Sequence, residues 1–373
     1  MKKRVLVVIL SVCMIFAFSA CSNGNSGSST PSAPPASTDG GADTSAPAED
    51  TLKIAYFGGG MQATWLQNIL KAMTEKGKQN GYEVINADAE WDGDKMLSQI
   101  DTLIDQGIDG ATIFLVDMSI ARAAFDKFNA AGVPLVFETL PFIGDDGKFL
   151  APGITADPVG MGQVPAQWVK DNFEALGFDP KDFATTGLML GTNGIFQETD
   201  DRAQEFRKKF EIDFPDFPKE NIFVNDVAAD PNRPDDTEGS YTQAMTMFTA
   251  NPQIEKWLIF ATVDDYAVGI ARALEANNLQ ANCKMISVGG ERAIPEWISN
   301  PAVNEYWVAE LYFNAMQYAD VIDEGLMGII REGKDPKDVL TQYKADGQDF
   351  GVYMMVGDMV TPETYMDYYL PGY

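Results

Sequence analysis

Two adjacent carboxylates, Asp264 and Asp265, stand where an apolar run stops and a helical pattern starts. The run, Trp257-Leu-Ile-Phe-Ala-Thr-Val263, is too short for a helix and rich in branched residues, which reads as a buried parallel strand. Beyond it Ala267, Ile270, Ala271 and Leu274 fall on one helical face. In an open α/β sheet, ligands bind beyond the carboxyl ends of the strands, so acids placed there are either helix caps or ligand contacts. The two cannot cap one helix in the same way, which leaves at least one for another role.

The chain has 373 residues and no His. That excludes a Ser-His-Asp triad, a His general base and a His-rich zinc site. Of the three Cys, Cys13 and Cys21 lie near the start, and Cys283 alone belongs to the body. No thiolate zinc site or intrachain disulfide can then form there. Beside Met285-Ile-Ser-Val288, Cys283 is expected to be a small buried filler. Carboxylate, Lys and Tyr chemistry remains, but no known catalytic spacing occurs. Neither an enzyme, a metal nor a cofactor is expected.

Two local patterns point the other way. Gly58, Gly60 and Ala63 match the dinucleotide-binding spacing weakly, but the acid that should follow the second strand comes somewhat late, at Asp88. An oxidoreductase is therefore the lesser alternative. Asp88-Ala-Glu-Trp-Asp-Gly-Asp94 opens like a calcium loop, yet its twelfth position is Gln99 in place of Glu, so a solvated turn is expected.

The N-terminus suggests an address. Lys2, Lys3 and Arg4 precede an apolar stretch from Val5 to Phe18 that ends in Ser19-Ala20-Cys21. This is the pattern of a secretory signal over residues 1–20. The small-small-Cys ending resembles the lipobox of bacterial lipoproteins, which makes Cys21 the expected lipid-bearing residue. From there to residue 50 the chain is Ser, Gly, Pro, Ala, Thr and Asp without apolar periodicity, the composition of a flexible tether. Without the three basic residues of the leader, 24 Lys plus Arg face 55 Asp plus Glu, a formal charge of −31. Such a surface repels nucleic acid and anionic lipid head groups.

The body, roughly 320 residues, is large enough for two domains. Strand and helix patterns alternate from Leu52-Lys-Ile-Ala-Tyr-Phe57 to the strand Pro134-Leu-Val-Phe-Glu138, as βα units on a parallel sheet. The rhythm breaks between Thr139 and Asp157, where a loop or hairpin is expected. A second array then runs to the strand at Met285. The remainder, with Tyr306-Trp-Val-Ala309, a helix from Asn314 to Ile330 and Val352-Tyr-Met-Met-Val356, is too short for a third domain and should complete both sheets. Two doubly wound Rossmann-like α/β lobes follow, expected over 51–155 plus 290–345 and over 156–289 plus 346–373, joined by a multi-strand hinge.

This organisation, with Ile54-Ala-Tyr-Phe57 and Trp65, Glu198-Thr-Asp-Asp-Arg202, Asn251-Pro-Gln-Ile-Glu-Lys-Trp-Leu-Ile259 and Asp264-Asp-Tyr-Ala-Val-Gly-Ile-Ala271, resembles the sugar-binding branch of the type I periplasmic binding proteins, the solute receptors of ABC importers. It is most similar to the arabinose-binding kind. The resemblance implies a small carbohydrate bound between the lobes, whose hydroxyls suit bidentate Asp, Asn and Arg groups and whose C–H faces suit an indole. It also implies lobe closure that ABC permease subunits recognise, and a protein expected to be monomeric and lipid-anchored on the extracytoplasmic face of the membrane. A receptor for a membrane sensor is the alternative use of the same fold.

Carried over by position, the resemblance assigns Trp65 to stacking and Asp117, Arg202, Asp235, Asp264 and Asp265 to hydrogen bonding, Asp264 standing where the family usually has Asn. Gly59 and Ala63 replace a Lys and a Glu of the arabinose pattern, which leaves Gln62 as the long polar side chain of that loop. Glu138 and Glu291 are then expected to compensate from the first lobe. Structural roles stand beside each of these: Trp65 fits an apolar helix face, Asp117 precedes a helix start, and Arg202 could pair with Glu198 or Glu205.

Overall fold

A computed structural model describes residues 51–367. The expected leader, Cys21 and the tether to residue 50 lie outside the described residues.

The first array runs β1 (Leu52–Gly58), α1 (Thr64–Asn80), β2 (Tyr82–Asp88), α2 (Gly93–Asp105), β3 (Gly110–Phe114), α3 (Ala121–Ala131), β4 (Leu135–Thr139) and β5 (Gly153–Ala156). The second runs α4 (Pro158–Asn172), β6 (Thr186–Thr192), α5 (Gln197–Asp213), β7 (Ile222–Asp226), α6 (Asp236–Ala250), β8 (Lys256–Ala261), α7 (Asp264–Asn277), β9 (Cys283–Gly289), α8 (Ala293–Ser299) and β10 (Trp307–Tyr312). The chain closes with α9 (Ala315–Ile330), β11 (Val352–Met355) and β12 (Asp358–Val360).

Two six-stranded sheets result, ordered β11-β5-β4-β3-β1-β2 and β12-β10-β9-β8-β6-β7. Their pairings are parallel except β10 with β12. Parallel sheets are covered on both faces, and the apolar runs of β3 and β6 are accordingly buried throughout. Each sheet separates two apolar clusters, with helices over each face.

The chain passes from the first sheet to the second after β5, returns after β10, and crosses again between β11 and β12. Completion of both sheets by the last segment is as expected, but membership departs from the expected lobe boundaries. β10 pairs with β9, so residues 290–312 belong with the second sheet, while β11 pairs with β5 in the first. Short apolar strands of similar composition carry no label for the sheet they join; register with a neighbour decides it. The irregular crossing also holds a strand that turn signals hid. Ile143 and Phe149 form an antiparallel bridge, after which β5 joins β4.

Packing fixes the helices that face the crossing region. On α5, Phe206 stacks on Phe260 of β8 with ring centroids 4.3 Å apart, and Phe210 continues the same cluster. Full burial of such a ring contributes about 1.5–3 kcal/mol. It sets the rotation of α5, and with it Arg202, one turn earlier. Cys283 is fully buried at the start of β9, as its apolar neighbours suggested.

Candidate functional site

A cleft of about 700 Å³ opens between the two sheets, at the carboxyl ends of their strands. From the first sheet it is lined by Phe114 at the end of β3, Thr139 at the end of β4 and Trp65 on α1. From the second come Glu198 and Arg202 on α5, Tyr266 on α7, and Glu291 after β9. Tyr312 ends β10, Phe313 follows it, and Tyr318 of α9 also lines the cleft, so the segment that returns to the first sheet forms part of the wall.

Arg202 is the strongest polar feature. The residue is only 8 % exposed, Nη1 donates to the Thr262 carbonyl at 3.0 Å, and Nε has no partner among the described residues. Its guanidinium lies 5.8 Å over the Phe313 ring. Burial presses its pKa down while Glu198 pushes it back up, and the group remains a cation. A buried donor without a partner is costly, and a ligand oxygen would satisfy it.

Across the second sheet a carboxyl cluster shapes the wall. Asp264 is buried at the first position of α7, yet it does not cap that helix. Its Oδ2 accepts the amides of Gly290 and Arg292 at 2.9 and 2.8 Å, and its Oδ1 accepts the Ser287 hydroxyl at 2.9 Å. Gly289 and Gly290, with φ of 140° and 106°, take backbone conformations that L side chains avoid, which turns those amides toward the acid. Glu291 is thereby held at the cleft. Burial, then the Asp264 charge, pushes its carboxyl up to about 8.

Of the residues selected from sequence, Trp65, Arg202 and Glu291 line the cleft together. Glu291 does so from the second sheet, a correction of its expected lobe that follows from the pairing of β10. The others stand elsewhere. Gln62 is exposed outside the cleft lining. Asp117 is exposed and accepts the Ser119 amide at 2.7 Å as the cap of a short 3₁₀ turn, a hydrogen bond that holds its pKa down. Asp235 caps α6 by accepting the Glu238 amide at 2.8 Å. Asp265 is half-exposed and pairs with Arg292 at 3.1 Å. Glu138 is wholly buried within β4; the Tyr56 hydroxyl donates to it at 3.0 Å, and burial raises its carboxyl to about 8.

Sequence reasoning passed over Trp91, Phe114, Tyr266, Tyr312 and Tyr318, all of which line the cleft. Phe114, Thr139 and Tyr312 are the last residues of β3, β4 and β10, and that position was the available signal. Trp91 lies inside the acidic turn whose spacing approaches that of a calcium loop. There Asp88 accepts the Met61 and Glu90 amides and Asp92 caps α2, so these acids set a turn that presents an indole.

Comparison with known proteins bears on the family and the fold. A family model described as "Periplasmic binding protein domain" matches residues 54–324. The L-arabinose-binding periplasmic protein of an ABC transporter from Azospirillum brasilense is 24% identical over 298 residues, covering 78% of this chain and 84% of that protein. The L-arabinose-binding periplasmic protein of Escherichia coli (strain K12) is 24% identical over 280 residues, covering 71% and 82%. Among solved structures, an ABC transporter periplasmic solute binding protein from Actinobacillus succinogenes with bound D-allose superposes with a TM-score of 0.64 at 18% identity, over 85% of this chain and 100% of that one.

Proposed function

The chain belongs to the periplasmic binding protein domain family, and from that membership we propose that it is an extracytoplasmic solute-binding protein that captures a small carbohydrate in the cleft and delivers it to an ABC importer. The observation that carries the proposal is the buried Arg202, its Nε unpartnered, in a cleft that also presents Trp65 and Glu291. Arg202 supplies donors to ring or hydroxyl oxygens, Glu291 accepts or donates according to its protonation, and Trp65 offers an indole to C–H faces.

Binding between two sheets joined by three crossings suits closure by hinge motion, which removes water from those hydrogen bonds and gives the permease a distinct loaded shape. In this reading Cys21 carries the lipid that keeps a monomeric receptor at the membrane, and the tether gives it reach. The curated relatives are named for L-arabinose binding, which supports a monosaccharide-sized solute. Calorimetric titration and thermal shift against a panel of monosaccharides and polyols test the proposal. At least one should bind with a Kd in the micromolar range or below, and no binding by any of them would sink it.

A further inference from the structure

The polarity of the cleft is divided between its walls. Its three charged side chains, Glu198, Arg202 and Glu291, all come from the second sheet and its helices. The first-sheet wall is built on Trp65, Trp91 and Phe114, has Asn68 and Thr139 as its polar side chains, and carries no charged group among the described residues. The rings meet edge to face: Trp65 and Phe114 with centroids 5.2 Å apart at 81°, Trp91 and Phe114 at 6.0 Å and 87°.

This aromatic corner is held by backbone features with a definite cost. Glu90 and Trp91 have φ of 52° and 61°, in the left-handed region that bulky residues avoid. The Trp91 amide donates to the Gly59 carbonyl at 2.7 Å. A Cβ on Gly59 would stand 2.4 Å from the Phe114 ring, and one on Gly60 2.2 Å from the Trp91 indole. The glycines after β1 therefore serve packing, because they let two rings lie against bare backbone. Trp91 nevertheless stays 51% exposed at the cleft. Strain maintained to keep a large apolar ring partly in water points to something that covers it.

A free sugar carries hydroxyls around its whole rim, and each one buried needs a partner. A wall of indole and phenyl rings offers few, whereas the opposite wall offers charged ones. We infer that the ligand is a glycoside whose flat apolar aglycone lies on Trp91 and Phe114, beside the sugar C–H face that Trp65 receives, while its sugar hydroxyls face Glu198, Arg202 and Glu291. This rests on the carbohydrate reading above and narrows it. A cleft of about 700 Å³ is within the range that encloses ligands of such size.

Calorimetric titration of the full chain with matched p-nitrophenyl and methyl glycosides of glucose, galactose, xylose and arabinose tests the inference. For at least one sugar, the aryl glycoside should bind at least tenfold more tightly than the methyl glycoside. Trp91→Ala, at a half-exposed position, should reduce that ratio to below about threefold, with circular dichroism confirming that the variant is folded. Equal affinities for aryl and methyl glycosides, or preference for the methyl form, would overturn the aglycone site while leaving carbohydrate binding intact. An aryl preference that survives in Trp91→Ala would also overturn it. Failure of every glycoside and every free sugar to bind would remove the carbohydrate reading and the inference together.

Discussion

Asp264 and Gly290 are 26 residues apart in the chain, and the Asp264 carboxylate accepts the Gly290 amide at 2.9 Å. One acid at the start of α7 thus anchors the loop after β9, and that loop carries Glu291 into the cleft. Asp264 stands outside the cleft lining and shapes it through that loop.

Replacing Asp264 by Ala should therefore lower stability and ligand affinity together. It leaves the amides of Gly290 and Arg292 and the Ser287 hydroxyl without their acceptor. Hydrogen bonds to a charged group are worth about 1.5–3 kcal/mol each, with partial recovery by water, so a loss on the order of 3 kcal/mol is expected in urea unfolding. A variant that binds poorly but unfolds like the parent would assign Asp264 to the ligand instead.

Arg202 and Asp265 should behave differently from each other. Arg202→Lys keeps a cation but loses the planar fork that reaches both the Thr262 carbonyl and the cleft. Affinity for the best solute should fall at least tenfold. Asp265→Asn, at a half-exposed ion pair with Arg292, should change affinity less than threefold. Titration calorimetry on the two variants makes the comparison.

Glu138 gives stability a pH dependence of known sign. Burial holds its folded-state carboxyl at about 8 against an ordinary value of 4.5. Between those values the folded state keeps a proton that the unfolded state has released, so the contribution of Glu138 to stability is greatest at acid pH and falls as pH rises. The slope reaches at most about 1.4 kcal/mol per pH unit for one group. Urea unfolding at intervals from pH 5 to 8 should show this decline, and Glu138→Gln should flatten part of it. An unchanged slope in the variant would show that Glu138 ionises normally.

Ser287 fixes the protonation of Glu310. Its hydroxyl oxygen contacts Asp264 and Glu310 and accepts the Trp307 indole N–H at 2.8 Å. One hydroxyl proton cannot serve two carboxylates, so one carboxyl must carry its own. Asp264 already receives backbone amides, which leaves Glu310 as the protonated acid. Burial and then the Asp264 charge push its pKa in the same direction, well above the ordinary value. Glu310→Gln, neutral and of equal size, should unfold within about 1 kcal/mol of the parent, whereas Glu310→Ala should lose about 2–4 kcal/mol by opening a cavity beside unpaired polar groups. A large loss in the Gln variant would show an ionised Glu310.

Element types and order were legible because periodicity is local. The spacing of Leu66, Ile69 and Met73 and the unbroken run from Trp257 to Ala261 each state a helix or a strand without reference to the rest of the chain. The absence of His and the acidic charge likewise follow from composition alone. Two lobes and a cleft at strand ends could be expected from that order, since βα units allow few arrangements.

Which sheet a terminal strand joins was not legible, because Trp307–Tyr312 and Val352–Met355 are both short apolar strands, and pairing with β9 or β5 separates them only in three dimensions. Nor could the sequence say which acid faces a ligand. Asp117, Asp235, Asp264 and Glu291 all sit at or near element ends, where capping, loop anchoring and ligand contact use the same carboxylate chemistry. The residue type set what each could do. The fold decided by direction and burial: Asp117 and Asp235 turn back to their own amides, Asp264 points into the β9 loop, and Glu291 with Arg202 and the aromatic rings is left at the cleft.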